Sequence, residues 1–296
     1  MTARGHVTAG DLSPLMYGNE NSYGTEAATN ACYGAIAAEG GSFKPTDNPH
    51  PHMTWRAGSR TFSRSNYVTQ QDEAGFQATF EVPDDNGLLA TIIGYAHASL
   101  YTNSLPSRTV AIRDRAPANT LKYIGCKTEE LTISADAPGG VVKFEETVLA
   151  SYSEYGTLNS ISNGIYPAIQ WTGGIILGDN SYYPQSFKLR IRNNLGRVYG
   201  YSNGQSITKA LLEGREEIDF EMDLWMEDLA WLANNMYNGL AAGSITINLG
   251  IKYPKILTLT GLTYACDGDN TALVQDKQLE TVRMRAKGLT LTDPSP

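Results

Sequence analysis

The chain has 296 residues, enough to bury a substantial core as one large domain or two smaller ones. Its formal net charge of −8 argues against a basic patch that binds nucleic acid, although DNA could still pass along the surface without adhering. Charged residues make up only 18% of the chain, and 29 Gly and 17 Tyr accompany them, which favours a β-rich protein with many turns.

In chain order, the first half is predicted to contain a short arm followed by a β unit. Residues 1–40 are rich in Gly, Ala and Asn with little periodicity, so we expect an N-terminal arm that lies outside the core. Residues 41–150 alternate apolar and polar residues over most of their length, which predicts a first β unit. Its elements are a strand, a helix, a strand and a long hairpin, over Phe76–Val82, Asn86–Tyr95, Arg108–Arg113 and Leu121–Leu149. Asp84 and Asp85 follow the first of these strands and are expected to cap the helix.

The second half is predicted to begin with a connector. Residues 151–184 are dense in Ser, Asn, Gly and Tyr and are interpreted as a connector with some strand inside, while residues 291–296 form a short tail. Residues 185–290 are predicted to form a second β unit. Its elements have the same order as those of the first unit, over Glu217–Leu224, Glu227–Tyr237, Ser244–Ile251 and Lys255–Gly288. This repeated order favours two tandem units with flanking helices, in a fold that is mainly β.

One strand of the second unit carries a carboxylate at every second position. Its apolar residues alternate with an acidic row made of Glu217, Asp219, Glu221 and Asp223. A complementary basic row, made of Lys188, Arg190 and Arg192, alternates in the same way on an earlier strand. Two interpretations stay open. The two strands are neighbours whose rows neutralise each other on a solvated face, or the acidic row lines a water-filled space or meets a basic row on another protomer.

Motifs for metal binding and catalysis are weak in this sequence. His50-Pro51-His52 lies in a proline-rich turn with no further ligands nearby, and Asp267-Gly268-Asp269-Asn270 does not have the spacing of an EF-hand loop. Cys32, Cys126 and Cys266 are scattered and are expected to be buried free thiols. We therefore expect no enzyme activity, no cofactor and no metal site.

Neither membrane insertion nor secretion is predicted. The longest apolar stretch is too short and too interrupted to span a bilayer, and the first residues lack the apolar segment of a signal peptide. We expect a soluble protein made in a reducing cytoplasm.

Several stretches together resemble the tail tube (major tail) proteins of tailed bacteriophages and related archaeal viruses. The resemblance spans most of residues 20–290, and no single motif is diagnostic. Its main stretches are Asn19–Asn30, Tyr123–Leu149, Phe187–Gly204 and Glu216–Leu232.

The resemblance implies a fold and an assembly. Members of this family fold as packed antiparallel sheets with a flanking helix, and strands of neighbouring subunits join into an inter-subunit β-barrel around a lumen. A duplicated chain is expected to form rings of three subunits with pseudo-sixfold symmetry rather than hexamers, and the rings stack helically.

The resemblance also implies partners and a location. The expected partners are other copies of the chain, a tape measure protein, and tail terminator or baseplate proteins. Double-stranded DNA passes through the tube without specific binding, along a lumen that is usually acidic in this family, which would suit the acidic row. The protein would be assembled in the host cytoplasm and reside in the virion tail.

Two other classes of function remain as alternatives. A different β-rich virion component, such as a tail terminator, baseplate or capsid decoration protein, would form closed single rings or monomers. A carbohydrate-binding module or an enzyme is a further alternative, because Tyr-rich β proteins also bind sugars.

Overall fold

The protein is described here by a computed structural model covering residues 15–27, 33–37, 42–46, 48–53, 67–84, 87–98, 104–113, 120–156, 168–177, 180–202, 205–225, 243–251, 253–264 and 279–292. The elements of the first half are β1 Leu15–Asn19, β2 Tyr33–Ala37, β3 Phe43–Pro45, β4 Asn48–Met53, β5 Tyr67–Glu81, α1 Leu88–Ala96, β6 Arg108–Arg113, β7 Thr120–Ala135, β8 Lys143–Ala150 and β9 Tyr152–Gly156. Those of the second half are β10 Trp171–Leu177, β11 Asn180–Tyr182, β12 Ser186–Arg192, β13 Gly196–Ser202, β14 Gln205–Leu212, β15 Glu217–Trp225, β16 Ile245–Leu249, β17 Lys255–Thr260, β18 Thr263–Tyr264, β19 Leu279–Ala286 and β20 Gly288–Thr292.

All strand pairings between these elements are antiparallel, so the expectation of a mainly β fold built from antiparallel sheets is confirmed. In the first half the strand pairings form a closed circuit. Strand β7 pairs with β6, β6 with β1, β1 with β2, β2 with β5, β5 with β8, and β8 again with β7. This closure is possible because β7 is long enough to pair with β6 through its first part and with β8 through its second part.

The strand order of the first half recurs in the second half. The order β2-β1-β6-β7-β9 corresponds to β11-β10-β16-β17-β20, and the order β3-β5-β8-β7 corresponds to β12-β15-β19-β18. The lengths recur as well. Strands β8 and β9 span residues 143–150 and 152–156, while β19 and β20 span residues 279–286 and 288–292, so both pairs of strands have equal lengths and the same single-residue gap.

The two sets of strands are joined into one long sheet. Its order is β3-β5-β8-β7-β12-β15-β19-β18, and the joint between the halves is the pairing of β7 with β12, from Phe187 opposite Ala135 to Arg192 opposite Glu130. One face of this sheet is apolar and lies against the core. On β15, for example, Ile218, Phe220 and Met222 are buried, as strict alternation requires.

The N-terminal segment differs from the predicted arm. Residues 15–19 form β1, which pairs with β2 on one side and β6 on the other, and Leu15, Met16 and Tyr17 are buried in the core. The low periodicity of this segment concealed a strand because residues 15–18 of β1 are buried on both faces of the strand, and such strands need not alternate.

The helix also differs in detail from its prediction. It begins at Leu88, its N-cap is Gly87, and no side chain caps it. Asp84 is instead buried, accepting a hydrogen bond from the Lys255 Nζ at 3.1 Å and another from the Ile251 backbone N–H at 3.1 Å. The predicted second helix at 227–237 lies outside the described residues. Within the described part of the chain, no helix is long and apolar enough to cross a membrane.

A second buried ion pair lies inside the first half. The guanidinium of Arg108 contacts the Glu146 carboxylate, and both side chains are fully buried. Thr128 accepts a hydrogen bond from Arg108 at 2.9 Å and donates one to Glu146 at 2.7 Å. Burial alone would lower the pKa of Arg108, but Glu146 and the nearby Tyr17 outweigh it and raise that pKa above its ordinary value.

Candidate functional site: the charged face of the long sheet

The outward face of the long sheet carries most of the charges that the sequence singled out. Because the residues of β15 alternate, burying Phe220 and its apolar neighbours leaves the acidic row on the opposite face, where its side chains are partly exposed. We call this surface the charged face. On the four strands β7, β12, β15 and β19 it comprises Glu130, Thr132, Ser134, Lys188, Arg190, Arg192, Glu217, Asp219, Glu221, Asp223, Thr281, Arg283 and Arg285.

The acidic and basic rows of the sequence lie on adjacent strands. In the antiparallel pairing of β12 with β15, each cation of the basic row lies opposite a carboxylate of the acidic row, as Lys188–Glu221, Arg190–Asp219 and Arg192–Glu217. This is the neighbouring arrangement that one of the two interpretations required.

The shortest contacts of the basic row nevertheless involve β7 on its other side. Glu130 accepts hydrogen bonds from Arg190 at 2.7 and 2.8 Å and from Arg192 at 3.2 Å. Partial burial would raise the pKa of the Glu130 carboxyl, but the two guanidinium groups outweigh it and lower that pKa below its ordinary value. The joint between the halves of the sheet is therefore held by side-chain ion pairs as well as by backbone hydrogen bonds.

A second basic row, which the sequence reasoning missed, flanks the acidic row on β19. Arg285 donates a hydrogen bond to Asp219 at 2.9 Å, and the Nε of Arg283 lies 3.0 Å from a carboxylate oxygen of Glu221. The hydrogen bond and charge of Asp219 raise the pKa of Arg285. The signal was present, because Arg283 and Arg285 alternate with buried Val282 and Met284, but a strand pairing cannot be read from that alternation alone.

Hydroxyl groups bind the carboxylate at the end of the acidic row. Asp223 accepts hydrogen bonds from Ser186 Oγ at 2.5 Å and from Thr281 Oγ1 at 2.7 Å. Across β7, β12, β15 and β19 the described charged face thus holds five carboxylates and five cationic groups, so its formal charge is balanced within one chain.

The other sequence-predicted positions lie elsewhere in the fold or outside the described residues. Cys126 is a buried free thiol, and burial raises its pKa; Cys32, Cys266 and Asp267–Asn270 lie outside the described residues. His50 and His52 lie on β4, in the hairpin with β5. In the part of the chain that the structure describes, no group of three or more His, Cys, Asp or Glu side chains is placed to hold a metal ion.

Within the described residues, β3 pairs only with β5 and β18 pairs only with β19. The outer sides of these two strands are the open edges of the long sheet in the described part of the chain. Charged ladders with open edges can extend by pairing with another sheet.

Comparison with models of known protein families gives one finding for this chain. Residues 10–285 match the family model described as phage tail tube protein. No curated protein matches the sequence.

Proposed function

The chain belongs to the phage tail tube protein family and is a structural protein of the virion tail, and from this premise we propose that it self-assembles into stacked rings forming a hollow tube. The viral genome would pass through that tube into the host. The subunits would assemble in the host cytoplasm with a tape measure protein and with tail terminator or baseplate proteins.

The observation that carries this proposal is that the two strands of the internal joint, β12 and β7, correspond to the two edge strands of the long sheet, β3 and β18. We propose that the chain consists of two tandem units, β1–β9 and β10–β20, each built on the same strand order. Phe43 of β3 lies opposite Ala78, and Phe187 of β12 lies opposite Met222. The number of residues from Phe43 to Phe187 equals the number from Ala78 to Met222. The open edge strand β3 therefore corresponds to β12, the strand at the internal joint.

The other open edge corresponds to the other side of the joint. Lys127 of β7 lies opposite Leu149, and Thr263 of β18 lies opposite Arg285. The number of residues from Lys127 to Thr263 equals the number from Leu149 to Arg285, and the same number separates β8 from β19. In the internal joint β12 adds to β7, so by the same geometry β3 of one copy can add to the region of β18 in the next copy. Such a contact joins two different surfaces and closes into a ring when its rotation allows.

Three chains joined in this way would form a ring of six similar units. A continuous sheet would then encircle a channel without open edges. Because the opposite face packs against the core, the charged face is the one available to line a water-filled channel. The acidic row would then contribute to the wall together with the two basic rows.

Electron cryomicroscopy of the purified full-length protein tests this proposal. We expect long hollow polymers, and a helical reconstruction with three chains per ring and the charged face turned inward. Six chains per ring would contradict the proposed trimer but leave the tube intact. Monomers or closed single rings at every protein concentration would contradict the tube itself.

A further inference from the structure

The arginines of the charged face are bound by carboxylates of the same chain. Arg190 and Arg192 contact Glu130, as described above, while Arg283 and Arg285 contact Glu221 and Asp219. The side chains are not deeply buried, since the guanidinium-bearing side chains of Arg283 and Arg285 are 38% and 51% exposed. These groups therefore remain within reach of a large ligand in solution.

Exposed arginines are a hazard for a surface that a polyanion must pass. A guanidinium presents a fork of N–H donors that matches phosphate oxygens, and several in a row hold a nucleic-acid backbone regardless of its sequence. A guanidinium already paired with a carboxylate has its charge locally cancelled and holds one or two of its five N–H groups against that carboxylate. At physiological ionic strength the residual field of such a pair is screened over about 8 Å.

We propose that Asp219, Glu221 and Glu130 mask these arginines, so that the charged face neither binds nor strongly repels the phosphate backbone of double-stranded DNA. This role rests on the proposed function, in which DNA passes along the charged face. It differs from the acidic wall expected from the family, because the carboxylates act by occupying neighbouring cations and the face as a whole carries little net charge.

Removing the mask should create a DNA-binding surface. The test uses dilute, unassembled full-length subunits and a short linear DNA duplex, with binding followed by fluorescence anisotropy. The variant Asp219→Asn/Glu221→Gln removes the carboxylate charges beside Arg283 and Arg285, and we expect it to bind DNA at least about tenfold more tightly than the unaltered protein at low salt. Its affinity should fall about tenfold to fortyfold between roughly 50 and 200 mM NaCl, as expected when two or three cations release counterions.

A matched control separates masking from net charge. Glu26→Gln/Glu154→Gln removes the same two negative charges around Lys122, away from the charged face, and should leave DNA binding unchanged. The variant Arg283→Gln/Arg285→Gln should also show no gain in binding. Equal gains in the control and the test variant would overturn the proposal.

A second unmasking variant covers the case in which the first does not fold. Glu130→Gln frees Arg190 and Arg192 and should likewise gain salt-sensitive DNA binding. A folded Glu130→Gln or Asp219→Asn/Glu221→Gln protein that binds DNA no better than the unaltered chain overturns masking, whether or not the unaltered chain forms tubes. Conversely, a gain in binding by a chain that never polymerises supports masking and contradicts the proposed tube.

Discussion

The buried pair of Arg108 and Glu146 has a natural comparison inside the same chain. The guanidinium of Arg108 lies over the rings of Tyr17 and Tyr95, 5.1 and 4.3 Å from their centroids, so rings and carboxylate together surround the charge. At the position equivalent to Glu146, the corresponding strand β19 carries the buried apolar residue Val282, since each is the fourth residue of its strand. The same place in the fold is thus filled by an ion pair in one half and by an aliphatic side chain in the other.

We predict that Glu146→Val lowers the free energy of unfolding by about 3–5 kcal/mol, because it leaves Arg108 charged, buried and unpaired. The double variant Arg108→Leu/Glu146→Val should lose less, since no lone charge remains and the second half already tolerates Val at this place. Urea unfolding of both variants measures the difference. A double variant less stable than the single one would contradict this account.

Glu130 gives a prediction about pH. Because its pKa is lowered from 4.5 in the folded chain, its contribution to stability is present above the unfolded pKa and is lost as the pH falls through the lower folded value. Glu130→Gln should therefore cost about 1 kcal/mol at pH 7, as partly exposed pairs typically contribute. The difference from the unaltered protein should shrink below about pH 4. Unfolding curves at pH 7, 5 and 3 test this, and a difference that grows on acidification would refute it.

At the scale of elements, the two parts of β7 pair with different strands. Its first part pairs with β6 and β9, and its second part pairs with β8 and β12. The change of partners occurs at Gly125, which has a φ of 70° and no room for a side chain, because an added Cβ would lie 2.7 Å from the Ser151 Cβ. Gly261 repeats the feature between β17 and β18, with a φ of 64° and Lys287 Cβ at 2.9 Å.

We predict that Gly125→Ala destabilises the protein by more than Gly139→Ala. Both residues have a positive φ, which costs about 1–2 kcal/mol for Ala, but an added Cβ at Gly139 meets no atom within 4 Å. At Gly125 the collision with Ser151 comes in addition. Thermal melting of the two variants provides the comparison, and equal losses in melting temperature would show that only the backbone angle matters.

The sequence predicted elements well where burial alternates locally and poorly where it depends on distant partners. The alternation on β15 identified both the strand and its acidic row, because buried Ile218, Phe220 and Met222 each have an acidic residue on either side. It could not identify β1, which is enclosed by β2 and β6, or assign Asp84 to Lys255, which lies 171 residues away. The basic row on β19 was visible as a pattern, but its partner was set by strand order, which a periodicity does not encode.

At the scale of the whole molecule, one hydrophobic core extends through both halves. It includes Phe80 and Phe144 of the first half and Phe220 and Leu257 of the second. The buried ion pair of Asp84 with Lys255 links the two halves directly, because Asp84 precedes α1 while Lys255 begins β17. These connections make the two halves energetically dependent on each other.

We predict that the isolated full-length chain unfolds in a single calorimetric transition, with equal calorimetric and van't Hoff enthalpies. Asp84→Asn should lower its stability by about 3–5 kcal/mol, because Lys255 then remains buried without a counter-charge. Differential scanning calorimetry measures both effects. Two resolved transitions in the unaltered protein would show that the halves melt independently.

The double pairing of β7 has a mechanical meaning in the proposed ring. Hoop tension around the ring would enter the first half at its joint with β12 and continue along the covalent backbone of β7 into the closed circuit of strands. Because the hydrogen bonds of an antiparallel pair run perpendicular to its strands, those of the joint would be loaded together along their own direction rather than opened one after another. A tube wall made in this way would resist internal pressure through rows of backbone hydrogen bonds, and the covalent backbone of β7 would tie each row to the closed circuit of strands behind it.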